Sequence, residues 1–209
     1  MICQHPGADL LTARRLLRHR ARMRWERLIE EIGAQLDQEE RQARDGEIAD
    51  RIRREVAAVA LLDRLRAAEG QDVVLMLEPD RVHRGTIRQV GADWLLLAEP
   101  AGECLVALAH LQTITGLGTL AAAQLAPAAR RIFDGMDLRY ALRGIAIDRA
   151  QVRIATNGGG ELTGTIDRVG ADFLDVAVHA VGEPRRSAQI TARSTIVLSS
   201  LVEVVRLNG

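Results

Sequence analysis

The strongest constraint on the fold is a stretch that occurs twice in the chain. Residues 85–95 read GTIRQVGADWL and residues 164–174 read GTIDRVGADFL, which is an offset of 164 − 85 = 79. Over the wider windows 73–98 and 152–177, ten positions are identical. Self-similarity at a fixed offset is the signature of a duplicated structural unit. The sequence therefore predicts two copies of one small fold.

Each copy has the apolar alternation of short β-strands, interrupted by turn residues. The predicted strands of the first copy are 73–77, 82–90, 94–98, 104–109 and 111–117. Those of the second copy open at 152–154 and continue at 161–169, 173–178, 195–199 and 201–207. The offset grows to 201 − 111 = 90 for the last two strands, which places an 11-residue insertion between strands three and four of the second copy. Because a flat five-stranded sheet leaves edges unpaired, each copy is expected to close into a small antiparallel barrel.

The segment before the first copy is predicted to be helical. A first apolar stripe at helical spacing consists of Trp25, Leu28, Ile29, Ile32 and Leu36. A second stripe consists of Ile48, Ile52, Val56, Val59, Leu62 and Leu65. Between them, Asp45-Gly46 is a turn signal. It favours two helices, at about 23–44 and 47–68, over one long helix in which the glycine costs about 1 kcal/mol relative to alanine.

The remaining segments complete the domain organisation. Residues 1–22 are a basic arm, or lie upstream of a natural start at Met23. The predicted units are then a helical hairpin or long helix at 23–69, the first barrel at 70–117, a linker at 118–136, and a helix plus the second barrel at 137–207. In the latter helix Asp137 is the expected N-cap, and Leu138, Ala141, Leu142 and Ile145 form the apolar face.

Each copy resembles the Sm-like fold, a small SH3-like barrel of RNA-binding ring proteins. The second copy shows the pattern in Val152-x-Ile154, Gly158-Gly159, Leu162-x-Gly164-x-Ile166, Asp172 and Asp175. The resemblance implies an α+β fold, in which an N-terminal α-helical segment is followed by two five-stranded antiparallel barrels, each preceded by a helix. It also implies pairing between strands four and five of neighbouring barrels, which a tandem pair could make within one chain. The whole chain further resembles an actinobacterial family with an N-terminal Trp-Glu helix, which implies no particular activity.

The repeated stretch itself has a structural interpretation. Gly91 and Gly170 are expected to supply a positive φ in a tight turn, and the aspartate that follows each, Asp93 or Asp172, is expected to accept backbone N–H bonds there. Trp94 and its equivalent Phe173 are interpreted as core residues, with a base-stacking platform as the alternative.

Composition and motifs argue against several functions. All 28 basic residues are arginines, and the 28 acidic residues balance them, so the chain is not a generally basic nucleic-acid binder. Cys3 and Cys104 lack metal or redox spacing and are expected to be free thiols in a reducing cytoplasm. No histidine has a ligand at local metal-site spacing, no apolar run is long enough to span a membrane, and no catalytic motif occurs. No enzyme activity, cofactor, metal or membrane is therefore expected.

Two functional hypotheses remain. The first is a non-catalytic interaction, scaffold or regulatory protein that self-associates or holds a protein partner through the helical stripe of Trp25, Leu28, Ile32 and Leu36. The alternative is a nucleic-acid binder, in particular of RNA, in which arginines contact phosphate. Its candidate residues are Arg185 and Arg186 in the insertion and Arg139 and Arg143 on the helix before the second copy.

Overall fold

The structure is a computed structural model, which describes residues 33, 35, 38–39, 41–42, 44–182 and 189–207. The chain divides into two compact units, residues 1–58 and 59–209. In the first unit, residues 44–57 form helix α1, which includes Asp45 and Gly46. The predicted break at this pair is therefore wrong. Gly46 faces open space and keeps a φ that any residue can adopt, so it costs helix propensity without bending the chain.

The described residues of the second unit form three further α-helices and ten strands. The helices are α2 (Leu61–Ala67), α3 (Pro127–Asp134) and α4 (Leu138–Asp148). The strands of the first repeat are β1 (Asp72–Leu77), β2 (Arg81–Val90), β3 (Trp94–Glu99), β4 (Gly102–Ala107) and β5 (Leu111–Thr115). Those of the second are β6 (Gln151–Thr156), β7 (Glu161–Val169), β8 (Phe173–Val178), β9 (Ala192–Val197) and β10 (Leu201–Arg206). The helix α3 occupies part of the segment interpreted as linker.

The expectation of two separate five-stranded barrels is wrong. All ten strands form one open antiparallel sheet in the order β5-β1-β2-β3-β4-β10-β6-β7-β8-β9. Barrel closure would use the free edge of β4 within its own repeat, but that edge pairs with β10 of the other repeat. The contact between strand four of one copy and strand five of the other, expected from the sequence, is thus present. It joins the two halves and leaves the sheet open.

The junction strands are buried because a core lies on each of their faces. Side chains alternate between the faces of a strand, so Val106 on β4 and Val205 on β10 reach the core of the first repeat. Their neighbours Leu105 and Val204 reach the core of the second repeat. Consequently β10 is buried from Leu201 to Val205, although the side chains of an antiparallel strand usually alternate between buried and exposed positions.

The helices α2 and α4 each cover one core. Leu65 of α2 is buried in the first core, and Leu138 and Leu142 of α4 are buried in the second. Asp137 is the N-cap of α4, as predicted, and its side chain accepts a hydrogen bond from the Tyr140 amide at 2.9 Å. No helix within the described ranges combines the length and the apolar character needed to cross a membrane.

The repeated glycines serve close packing, and the prediction of a positive φ at Gly91 and Gly170 is wrong. A Cβ at Gly91 would lie 2.2 Å from the indole nitrogen of Trp94, and one at Gly170 would lie 2.4 Å from the Phe173 ring. At Gly164 in β7, a Cβ would lie 2.1 Å from the carbonyl oxygen of Ala177 in β8. The repeat therefore conserves sites where an aromatic ring or a neighbouring strand lies against the bare backbone.

This packing predicts a large difference between two glycines of one hairpin. We expect Gly164→Ala to lower the free energy of unfolding by about 1–3 kcal/mol, because the new methyl group overlaps backbone atoms that cannot move independently. Gly158→Ala should change it by less than about 0.5 kcal/mol, since its Cβ meets no atom within 4 Å. Urea denaturation followed by circular dichroism measures both values. Equal stability of the two variants would contradict the packing role.

Candidate functional site

A group of polar side chains lies where the two repeats meet. We call it the junction cluster: His83 of β2, Cys104 of β4 and Glu203 of β10, with Glu99 and Arg81 beside them. Arg81 and His83 alternate along β2 and pair with Leu77 and Leu75, which belong to the first core. The cluster therefore borders that core, on the same side of the sheet.

Glu203 is the centre of this cluster, and its side chain is only 2% exposed. Its Oε1 accepts a hydrogen bond from Nη1 of Arg81 at 3.0 Å. Its Oε2 forms an ion pair with Nε2 of His83 but has no well-directed hydrogen bond from a described residue. Arg81 also donates to Glu161 of β7 at 3.1 Å. These contacts connect β2 of the first repeat to β7 and β10 of the second.

The protonation states of the cluster follow from these contacts. Hydrogen bonds to Cys104 and to Glu203 raise the pKa of His83 to about 11, so the imidazole is charged at neutral pH. Burial raises the pKa of Cys104, which remains a thiol despite its contact with His83. Two described carboxylates form ion pairs with His83, that of Glu99 at Nδ1 and, at Nε2, that of Glu203. Burial opposes its charge, but His83 and Arg81 outweigh burial and lower the pKa of Glu203.

The cluster joins three types of metal-ligating side chain. A ring nitrogen of His83, Sγ of Cys104 and a carboxylate oxygen of Glu203 all lie within 4.8 Å of one another. Sequence reasoning missed the group because its members are 104 − 83 = 21 and 203 − 104 = 99 residues apart. Local ligand spacing cannot detect such a site. Only the strand order β2-β3-β4-β10 brings the three residues together.

The structure gives the two arginines predicted on α4 different surroundings. The guanidinium of Arg139 forms an ion pair with Asp137, with Nε donating to Oδ2 at 2.7 Å. Arg143 instead lines an apolar cavity of about 540 Å³ between α4 and the sheet, whose wall includes Trp94, Leu96 and Tyr140. Burial raises the pKa of Asp137, but Arg139 and Arg143 both lower it, so both guanidinium groups lie near this carboxylate.

Several predicted site residues lie outside the described part of the chain. These are Trp25, Leu28, Ile32 and Leu36 of the first helical stripe, and Arg185 and Arg186 of the insertion. The interpretations attached to them stay predictions.

The repeated aspartate and aromatic residues have structural contacts in the first repeat. Trp94 is buried, and its indole nitrogen donates to the carbonyl oxygen of Met136 at 2.9 Å. Asp93 accepts a hydrogen bond from the Leu138 amide at 2.6 Å, outside its own turn. Burial raises the pKa of Asp93, whereas this hydrogen bond lowers it. The repeated hairpin therefore holds the start of α4, and Trp94 is 3% exposed, as expected of a core residue.

Comparison with known proteins finds no relative of this chain. No family model, curated protein or solved structure matches the chain. Functional inference therefore rests on the junction cluster and on the exposed surfaces of the described residues.

The buried ion pairs of Glu203 with Arg81 and His83 allow a prediction about the stability of the protein. Glu203→Gln should lower the free energy of unfolding by about 2–3 kcal/mol, because it leaves the positive charges of Arg81 and His83 without their shared anion. The cost stays below that of a fully stranded charge, since Arg81 keeps Glu161 and His83 can lose its proton.

Glu103→Gln is the matched control, because Glu103 lies on the neighbouring strand β4 and is exposed. Guanidinium denaturation followed by tryptophan fluorescence compares the two variants with the parent protein. A Glu203→Gln variant as stable as the Glu103→Gln variant would show that the ion pair adds no net stability.

Proposed function

We propose that this protein is a non-catalytic scaffold of the cytoplasm that self-associates through its N-terminal helical segment. The observation that carries the proposal is an exposed apolar stripe on α1. Ile48, Ile52 and Val56 follow one another at spacings of four residues and are 57%, 54% and 66% exposed. Residues at this spacing share one face of a helix, so the stripe is a continuous apolar surface.

The physical state of α1 supports an association role. A helix of this length is marginal on its own in water, and most helical stability comes from packing an apolar face. The remaining contacts on α1 include exposed ion pairs, such as Arg51 with Glu55 at 2.9 Å. Pairs of this kind contribute at most about 1 kcal/mol. Burying one isoleucine or valine fully contributes about 1.5–3 kcal/mol, so covering the stripe is the larger gain.

The charges beside the stripe favour a second copy of the same helix as the partner. Asp50 and Arg53 form an ion pair, as do Arg51 and Glu55, so both signs of charge flank the apolar residues. Two antiparallel copies would place arginine opposite carboxylate along both sides of a shared apolar seam. The first stripe predicted from the sequence, Trp25 to Leu36, would extend this seam.

The nucleic-acid alternative has weaker support. Formal net charge is zero, and Arg139 is neutralised by Asp137. Arg143 borders an apolar cavity that also includes Glu103 and Asp148. A phosphate backbone is recognised by groups of cations whose affinity falls as salt rises. The adjacent pair Arg185 and Arg186 remains the feature of the sequence that favours this alternative.

The self-association proposal is tested by placing a charge in the stripe. Ile52→Glu should convert the oligomer to a monomer, because each copy would bury a carboxylate in the apolar seam. Sedimentation equilibrium over a range of protein concentrations measures the change. Ile147→Glu is the matched control, since Ile147 lies on α4, is 81% exposed and should leave the assembly unchanged.

Two outcomes would contradict the proposal. The parent protein could be monomeric at every concentration, or the Ile52→Glu variant could retain the parental mass. Retention of RNA at low salt, lost in an Arg185→Ala/Arg186→Ala variant, would favour the nucleic-acid alternative instead.

A further inference from the structure

The junction cluster has the composition of a metal site. Thiolate, imidazole and carboxylate are the three side-chain ligands that zinc accepts in proteins. Cys104, His83 and Glu203 supply one of each, from three strands of one rigid sheet. Among the described residues, these are the three His, Cys, Asp or Glu side chains whose ligand atoms lie close enough together to hold one metal ion.

The spacing of the ligand atoms suits a small four-coordinate ion. Zinc binds nitrogen and oxygen at about 2.0–2.2 Å and sulfur at about 2.3 Å in tetrahedral geometry, so its ligand atoms lie about 3.3–3.8 Å apart. The ligand atoms of the cluster all lie within 4.8 Å of one another. Small rotations of the three side chains would therefore suffice to reach coordination geometry, with no change in the strands that carry them.

The surrounding groups orient two of the ligands. The Nδ1–H of His83 donates to Oε1 of Glu99 at 2.9 Å, which leaves Nε2 directed towards Glu203. A ligating histidine commonly donates its other N–H to a carboxylate in this way. Arg81 binds Oε1 of Glu203 at 3.0 Å and so leaves Oε2 available.

The carboxylate of Glu203 offers a buried acceptor that has a single described partner. Oε2 forms an ion pair with Nε2 of His83, and it receives no other contact from a described donor that meets hydrogen-bond geometry. Buried carboxylate oxygens are normally hydrogen-bonded or bound to a metal. The side chain that carries this atom is 2% exposed and faces His83. The site is thus built around an acceptor that the polypeptide leaves incompletely satisfied.

Comparison of the two repeats shows that the individual strands form without these residues. By the repeat offsets, Leu162 is equivalent to His83 (83 + 79) and Ser194 to Cys104 (104 + 90). Thr113 is equivalent to Glu203 (203 − 90). The sheet registers agree, because Leu97 pairs with Cys104 as Val176 pairs with Ser194. The same strands form in both repeats, so the ligand set is specific to the junction.

We propose that His83 Nε2, Cys104 Sγ and Glu203 Oε2 bind a divalent transition-metal ion of the zinc class. The ion replaces the protons held by His83 and Cys104, and its two charges are balanced by one thiolate and one carboxylate. Arg81 keeps its contact with Glu161. Three protein ligands leave the fourth position of a tetrahedral ion for water. The inference is independent of self-association through α1.

The test uses the full chain after removal of metal by a chelator and dialysis. Calorimetric titration with Zn²⁺ should show one ion per chain, and Zn²⁺ should raise the thermal midpoint of unfolding. Titration with Co²⁺ should produce a thiolate-to-cobalt charge-transfer band. Cys104→Ser should abolish that band and weaken Zn²⁺ binding by about 100-fold or more, and Glu99→Gln should weaken it by about 10–100-fold.

Cys3→Ser and Glu103→Gln are the matched controls, as they change the other thiol of the chain and an exposed carboxylate on β4. Both should retain parental metal binding. Circular dichroism verifies that each variant is folded, and His83→Gln replaces Cys104→Ser if the latter does not fold. The proposal is overturned if the folded parent binds neither Zn²⁺ nor Co²⁺. It is also overturned if the charge-transfer band survives in Cys104→Ser or His83→Gln, or disappears in Cys3→Ser.

Discussion

The pairing of β4 with β10 is the interaction on which the rest of the structure depends. It satisfies the backbone donors and acceptors of one edge from each repeat, which would otherwise need water or another strand. It also places both strands between two cores, because alternate side chains reach opposite faces of the sheet. Neither repeat alone would bury these strands on both faces. The ten strands of the second unit therefore form one continuous sheet, even though its sequence is a duplication.

Apolar packing alone would leave the register of this pairing weakly determined, because both faces of β4 and β10 meet valine and leucine. Glu203 removes the ambiguity. In the observed register it pairs opposite Val106 and reaches Arg81 and His83. A slip by one residue would turn it to the other face, into a core formed by residues such as Leu105 and Val204. A buried carboxylate without partners is costly, so the junction cluster favours one register over its neighbours.

The sequence predicted the local structure well, because local structure depends on near neighbours. Strand periodicity, the two repeat copies and the Asp137 cap of α4 are all visible as short-range patterns, and the structure contains each of them. Pairing partners are different, since alternation shows which face of a strand is apolar but not which edge it will meet. Because alternation does not show which edges pair, it favours closure of each barrel and gives no sign of the cluster of His83, Cys104 and Glu203. The positive φ expected at Gly91 and Gly170 is wrong for a similar reason, because the aromatic ring that packs against Gly91 is a tertiary contact.

Divergence between the repeats explains how an open sheet can avoid extending from chain to chain. Within the described residues, β5 and β9 each have one neighbouring strand, and they correspond to β10 and β4 at the internal junction. If β9 of one chain met β5 of another, Ser194 and Thr113 would take the places of Cys104 and Glu203. Leu162 would replace His83, so the charged pair that selects the internal register would be missing. Internal pairing also benefits from the high effective concentration within one chain. The junction cluster therefore favours pairing within the chain over pairing between chains.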